Sequence, residues 1–375
     1  MYGRETMLLV AEPTLGEDEK AALAAAIDSN WITMGGRVRA FEEAFARLHG
    51  MPDALAVGSC TAGLHLALEA LGIGPGDEVL VPSLSFVATA NSVVYCGARP
   101  VFVDIESLEE PIISMGEAAR NCTPATKAVI VMHYAGYMAD LPAWRRFADE
   151  RGLILVEDSA HALGEERGPI LGDAAVFSFY GNKNMTTAEG GMILAPNPAV
   201  LERIRQTRAH GMTTGTFQRL HSRLVTYDVT MLGYNYRMDE LRAAVGLVQL
   251  ERLPEWNGKR RMLAQLYRDR IAELCPAVSV PFAPDRRSTH HVLPALLPPD
   301  TDRQLVVDKL RKDGIQTTNH YPPTHWFSWY MDTYPSPALP NTEDFATREL
   351  TLPLHPKLER GHVDWVVRAL AAAVA

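Results

Sequence analysis

Between about residues 54 and 195, short apolar runs alternate with stretches whose apolar positions recur at three- and four-residue steps. Ala54-Leu-Ala-Val leads into Leu64, Leu68 and Leu71, the spacing of one helix face. Val79-Leu-Val, Pro100-Val-Phe-Val, Ala128-Val-Ile-Val, Leu153-Ile-Leu-Val, Ala174-Ala-Val-Phe and Met192-Ile-Leu then repeat the strand signal. Apolar runs of this kind belong to strands covered on both faces. Separated by helical segments, they predict an α/β domain built on a mostly parallel sheet. Such sheets bind ligands beyond the carboxyl ends of their strands, so polar residues directly after an apolar run have first claim on function.

The texture changes after Asp239. A helical stretch from 240 to about 273 is interrupted at Pro254, which has no backbone N–H to donate. Beyond it come an apolar run near 292–297, a helix near 302–313 and a last helix from about His362. The chain of 375 residues, at roughly 150 per domain, divides into a large domain over 1–250 and a smaller α+β domain over 251–375.

Composition narrows the class. A hydrophobic share of 47% over this length buries a core that needs no disulfide or structural metal. A net charge of −9 argues against a nucleic-acid or anionic-membrane partner, both of which require a concentrated positive field. Lys259-Arg260-Arg261 reads as a solvated helix face. Cys60, Cys96, Cys122 and Cys275 form no Cys-x-x-Cys pair, and no His/Cys cluster has zinc spacing, so no metal is expected. Scattered thiols, no signal-like apolar core in residues 1–6 and no run long enough to span a bilayer together predict a cytoplasmic protein.

Candidate chemistry gathers at strand ends. In Ser178-Phe-Tyr-Gly-Asn-Lys183-Asn-Met-Thr-Thr-Ala-Glu-Gly-Gly191, a lysine follows a strand among small residues that allow close backbone approach. Most lysines are surface groups. One held here is desolvated, which lowers its pKa and makes the amine nucleophilic towards an aldehyde. In Leu153-Ile-Leu-Val-Glu-Asp158-Ser-Ala-His161, Asp158 stands just past a buried strand, where pyridoxal phosphate (PLP) would need a carboxylate against its pyridine nitrogen. A helix N-cap is the bland alternative. Glu157 points to the opposite face by alternation. His161 packs by the ring or is a satisfied core histidine. Val57-Gly-Ser-Cys-Thr61-Ala62-Gly63 is a strand–turn–helix start whose free amides suit a phosphate. Phe86 either stacks on the cofactor ring or belongs to the core.

In this order and spacing the pieces resemble fold-type I PLP enzymes, and within them the DegT/StrS-type sugar aminotransferases. The likeness extends through Asn30-Trp-Ile-Thr-Met-Gly-Gly, Phe41-Glu-Glu-Ala-Phe, Gly76-Asp-Glu-Val, Arg99-Pro-Val-Phe-Val-Asp, His210-Gly, Gly233-Tyr-Asn235-Tyr-Arg-Met and Leu352-Pro-Leu-His-Pro. The resemblance implies a Schiff base on Lys183 and pairing of Asp158 with the pyridine nitrogen. It puts His161 near the ring hydroxyl, Thr61, Ala62 and Ser178 on the phosphate, and Phe86 over the ring. Asn235 would reach the phosphate across a homodimer interface, and His320, Tyr321 and His325 resemble a segment lining the substrate cleft. The implied reaction moves an amino group from an amino acid, with glutamate the expected donor, to a nucleotide-linked keto-sugar. A cyclitol ketone, another PLP chemistry and a non-catalytic binding protein are the alternatives. The sequence departs from the pattern in a shortened stretch between His161 and Gly172, in Gly181-Asn182 before the lysine, in Gly63 for a usual Ala, and in Ala188 for a usual Gly.

Overall fold

The computed structural model describes residues 7–164, 169–215, 219 and 226–375. Residues 1–6, and residues 165–168 within the shortened stretch after His161, lie outside them.

The seven apolar runs become β1 (Leu55–Val57), β2 (Glu78–Pro82), β3 (Arg99–Val103), β4 (Thr126–Met132), β5 (Ile154–Asp158), β6 (Ala174–Ser178) and β7 (Gly191–Leu194). They form one sheet in the order β1-β7-β6-β5-β4-β2-β3, and β7 alone runs antiparallel to its neighbours. Side chains one residue apart leave a strand on opposite faces, and each face has its own core. Val79 and Val81 enter the core under helices Cys60–Ala70 and Ala88–Tyr95. Leu80 enters the opposite core, with Trp144 and Phe147 of helix Leu141–Arg151. Two-sided burial is why these strands read as unbroken apolar runs.

Helix Glu240–Leu274 runs for 35 residues with Pro254 inside it, so the expected interruption does not occur. The ring removes one backbone hydrogen bond but is itself exposed. Buried Leu253, Trp256 and Asn257 anchor the turns on either side, and that packing outweighs the lost bond. The amino-terminal half of the helix packs on helices Glu17–Asp28 and Gly36–Leu48. Its second half joins β8 (Leu293–Leu296), β9 (Glu349–Leu352) and helix Arg360–Val374 around Tyr267, Leu310 and Leu370. β8 and β9 pair antiparallel in a second, two-stranded sheet.

Arg260 corrects the reading of Lys259-Arg260-Arg261 as a solvated face. It is buried, and its Nη1 donates to the carbonyls of His291 (3.1 Å) and Leu354 (2.8 Å). The four cysteines are free. Among the described residues no helix is long and apolar enough to cross a membrane.

Candidate active site

Asp158 ends β5, paired with Met132 of β4 and Val176 of β6, and it is buried. Its Oδ2 accepts from Thr89 Oγ1 at 2.7 Å and its Oδ1 from the Ala160 amide at 3.1 Å. Burial pushes its pKa up, while these donors and the Lys183 amine pull it down. Glu157 faces the other way, as alternation requires, and accepts from the Leu171 and Gly172 amides at 2.8 and 2.7 Å. It therefore fixes a loop rather than facing the site.

Lys183 follows β6 by five residues, its amide turned back onto the Tyr180 carbonyl at 3.0 Å. Burial pushes its amine down to about 8, with Cys60 and Asp158 opposing. Its Nζ lies 3.4 Å from Nε2 of His291. The ring of His291 lies 4.3 Å from that of His161, and burial holds both histidines well below the usual imidazole range. Nδ1 of His161 accepts from the Ala135 amide at 3.2 Å, so its proton resides on Nε2, 2.8 Å from the Tyr321 hydroxyl. Tyr321 thus accepts from His161 and keeps its own O–H proton for another partner. Gly136 (φ 91°) makes the turn beneath this pair possible, since a Cβ there would lie 2.4 Å from Thr289 Oγ1.

The phosphate turn begins helix Cys60–Ala70. Ser59 caps it, accepting from the Ala62 amide at 3.1 Å. Ala62 has therefore spent its amide, and the first-turn N–H groups of Cys60 and Thr61 are those without an intrahelical acceptor. Gly191, opposite Ser178 in the sheet, explains part of the Gly-Gly signal: a Cβ there would stand 2.8 Å from the Cys60 nitrogen. Phe86 is not core but 56% exposed, its ring 6.0 Å from that of Tyr321.

Beneath His320 and Tyr321 lies a buried carboxylate that sequence reasoning missed. Glu349 accepts from the His320 amide (3.0 Å), Asn319 Nδ2 (2.9 Å) and Thr351 Oγ1 (2.5 Å), and burial pushes it up to about 8. The Tyr134 hydroxyl donates to the His320 carbonyl. His325 is placed apart from this group. It is buried, with Nδ1 2.6 Å from Ser83 Oγ and Nε2 3.2 Å from Glu343, so both ring nitrogens serve to tie loops together.

Asn235 lies in an extended segment bridged to Ala209, and its neighbour Arg237 bridges to Val57. Tyr234 and Tyr236 stack on each other at 5.1 Å and pack against His65 of helix Cys60–Ala70. By alternation Asn235 and Arg237 face away from His65 and that flank of the helix. They line a cavity of about 770 Å³ that also takes in Met34, Arg39, Arg205 and Arg242.

His291 and Asn184 were also missed. The only local signal was a His-His pair before an apolar run and an Asn beside the lysine. Neither has a spacing that betrays the contact.

Residues 13–371 match the model of the DegT/DnrJ/EryC1/StrS aminotransferase family. The fold superposes on the aminotransferase TlmJ from Streptoalloteichus hindustanus at TM-score 0.90 and 34% identity, covering 98% of this chain and 99% of that one. DesI, solved in the presence of its TDP-sugar product, matches at TM-score 0.87 and 32% identity over 99% of this chain and 94% of its own. NtdA from Bacillus subtilis, with bound cofactor PMP, matches at TM-score 0.86 and 28% identity over 95% and 81%. The α/β architecture is that of fold-type I PLP aminotransferases.

Proposed function

Because this chain belongs to the DegT/DnrJ/EryC1/StrS aminotransferase family, we propose that it is a PLP-dependent sugar aminotransferase whose cofactor is held by Lys183. In this reading L-glutamate gives the amine and a nucleoside-diphosphate-linked keto-sugar receives it, in a cytoplasmic homodimer with shared sites. One observation carries the proposal. A lysine amine lowered to about 8 and a buried carboxylate stand at the ends of adjacent parallel strands, beside the open turn of a helix N-terminus.

The residues fit the cofactor's three parts. The Cys60 and Thr61 amides, with Ser178 beside them, suit a phosphate at a helix N-terminus. Asp158 suits a protonated pyridine nitrogen, and exposed Phe86 offers a ring face. When bound, PLP supplies the electron sink that lets a proton leave the donor's α-carbon. Lys183 does the proton work at Nζ: an amine near 8 is neutral in a useful fraction at physiological pH and can act as base, then acid. His161, neutral and fixed by Ala135 and Tyr321, orients the edge of the site. Tyr321 presents a spare O–H to the cleft, and His320 sits beside it on the Glu349 anchor.

DesI, with its TDP-sugar product, and the family match support the sugar acceptor. The test is borohydride reduction of the purified yellow protein followed by peptide mapping. Fixation of the cofactor on the peptide holding Lys183 is the expected result, and fixation on another lysine defeats the reading.

A further inference from the structure

Taking Lys183 as the cofactor lysine, we infer that His291 is a further catalytic residue: its bare Nε2 receives the Lys183 amine whenever that amine is not bonded to cofactor, and so fixes where its lone pair points.

The hydrogen-bond network determines the tautomer. Asn184 Nδ2 donates to the Thr289 carbonyl, which can only accept, at 2.8 Å, and to Asn257 Oδ1 at 2.8 Å. Asn257 is oriented in turn, because its Nδ2 donates to the Leu163 carbonyl at 2.9 Å. The oxygen of Asn184 therefore faces His291 Nδ1, 3.0 Å away, and Nδ1 must carry the proton. That leaves Nε2 as a lone-pair acceptor aimed at the Lys183 amine, 3.4 Å away. The backbone of His291 is held from both sides: its amide donates to Ala135 and its carbonyl accepts from Arg260. Burial, with Lys183 next in weight, keeps the ring neutral, so the acceptor does not switch off by protonation.

The bland alternative is a satisfied core histidine. A core role needs the Asn184 contact but not an acceptor directed at the one nucleophilic amine of the site. A free lysine stem samples many rotamers, and a fixed acceptor removes much of the search before each proton transfer. The other titratable groups facing the amine are Asp158 from β5, Cys60 from helix Cys60–Ala70, His161, and His320 from the segment anchored by Glu349.

The test reads the amine itself. In the full-length chain freed of cofactor, the pH dependence of Lys183 acylation by trace acetic anhydride, followed by peptide mass spectrometry, gives its pKa. The wild-type value should lie near 8. His291→Phe keeps a ring of similar size but removes the acceptor, which stabilises an ammonium more than an amine. The value should therefore fall by on the order of one unit. His291→Gln can turn a carbonyl oxygen to the amine and should recover at least half of that fall. Asn184→Ala keeps the imidazole but frees its tautomer, giving a smaller fall, and it carries the test where the Phe variant does not fold. An unchanged Lys183 value in whichever of these two variants folds overturns the role of His291. Borohydride fixation in the wild type is scored separately: cofactor on another lysine would defeat the reading beneath it, whereas cofactor on Lys183 with no shift defeats only this inference.

Discussion

Two ends of the candidate site are finished to different degrees within one chain. At the Lys183 end, Asp158, His161 and His291 are buried and enclose a half-buried lysine, and each of the three meets a named protein partner: Thr89 and Ala160 for the carboxylate, Ala135 and Tyr321 for one imidazole, Asn184 for the other. At the Asn235 end, the asparagine is exposed and lies with Arg237 over an open cavity, on the side opposite the Tyr234–Tyr236 pair that packs on His65. Groups that set a pKa need a low-dielectric surround, and one chain can supply that. A contact that must meet a phosphate does not, and it can be left for a neighbour to complete. The contrast is what a shared site in a two-fold dimer would look like from one subunit.

The enclosed end is where substitutions should cost most. Lys183→Ala should lose on the order of 10³-fold or more in transamination, the scale of a general acid–base group, yet still bind PLP noncovalently. Single-turnover absorbance measurements separate the two effects, and a variant that still exchanges amine at near wild-type rate would move the chemistry elsewhere. Next in size is Asp158→Asn. It keeps the Thr89 and Ala160 contacts within reach while removing the charge, and should cost roughly 10²-fold in kcat with little change in cofactor affinity. A loss confined to affinity would mean that Asp158 only anchors.

The open end should respond more weakly and in a different way. If Asn235 meets the partner's phosphate as proposed, Asn235→Ala should lose one hydrogen bond to a charged group, on the order of 10-fold in PLP affinity. Mixing sharpens the contrast between the ends. When Lys183→Ala chains exchange subunits with Asn235→Ala chains, a shared site gathers both lesions in one pocket and leaves the other intact, so activity reappears. If each chain uses its own Asn235, no intact pocket forms. Confirmed exchange without rescue would then show that the open face has some other use.

Legibility in the sequence follows the same division. The strands could be read because burial on both faces writes itself as consecutive apolar residues, as in Ala128-Val-Ile-Val. Lys183 and Asp158 stood out as candidates because one lies a loop beyond such a run and the other at its end. His291 could not: its role depends on Asn184, more than a hundred positions away, and on a tautomer that no spacing encodes. Glu349 was equally silent, a strand-edge acid whose three donors come from a distant segment and its own strand. Pro254 misled because local backbone chemistry lost to packing by Leu253 and Trp256. Arg260 misled because charge was taken for exposure, while it shares a helix face with buried Trp256, Leu263 and Ala264 and points inward to two carbonyls.

The smallest predicted effect lies in the loop that carries Lys183. Ala188 has φ 68°, in the left-handed region, and is exposed, with its amide on Thr186 Oγ1 at 2.9 Å. For an L-residue that conformation costs roughly 1–2 kcal/mol, because Cβ crowds the backbone. Glycine avoids the crowding but gives up about 0.5–1 kcal/mol more in chain entropy. Ala188→Gly should therefore stabilise by at most about 1.5 kcal/mol, a rise of no more than roughly 2 °C in Tm for a chain of this size. No side chain of the site is touched, so kcat and the pKa of Lys183 should stay as they are. A Tm that falls would mean that the Ala188 methyl group packs better than its exposure suggests. A changed Lys183 pKa would be more telling, since it would make the left-handed turn part of what fixes the lysine, and the enclosed end would then extend along the loop to the start of β7.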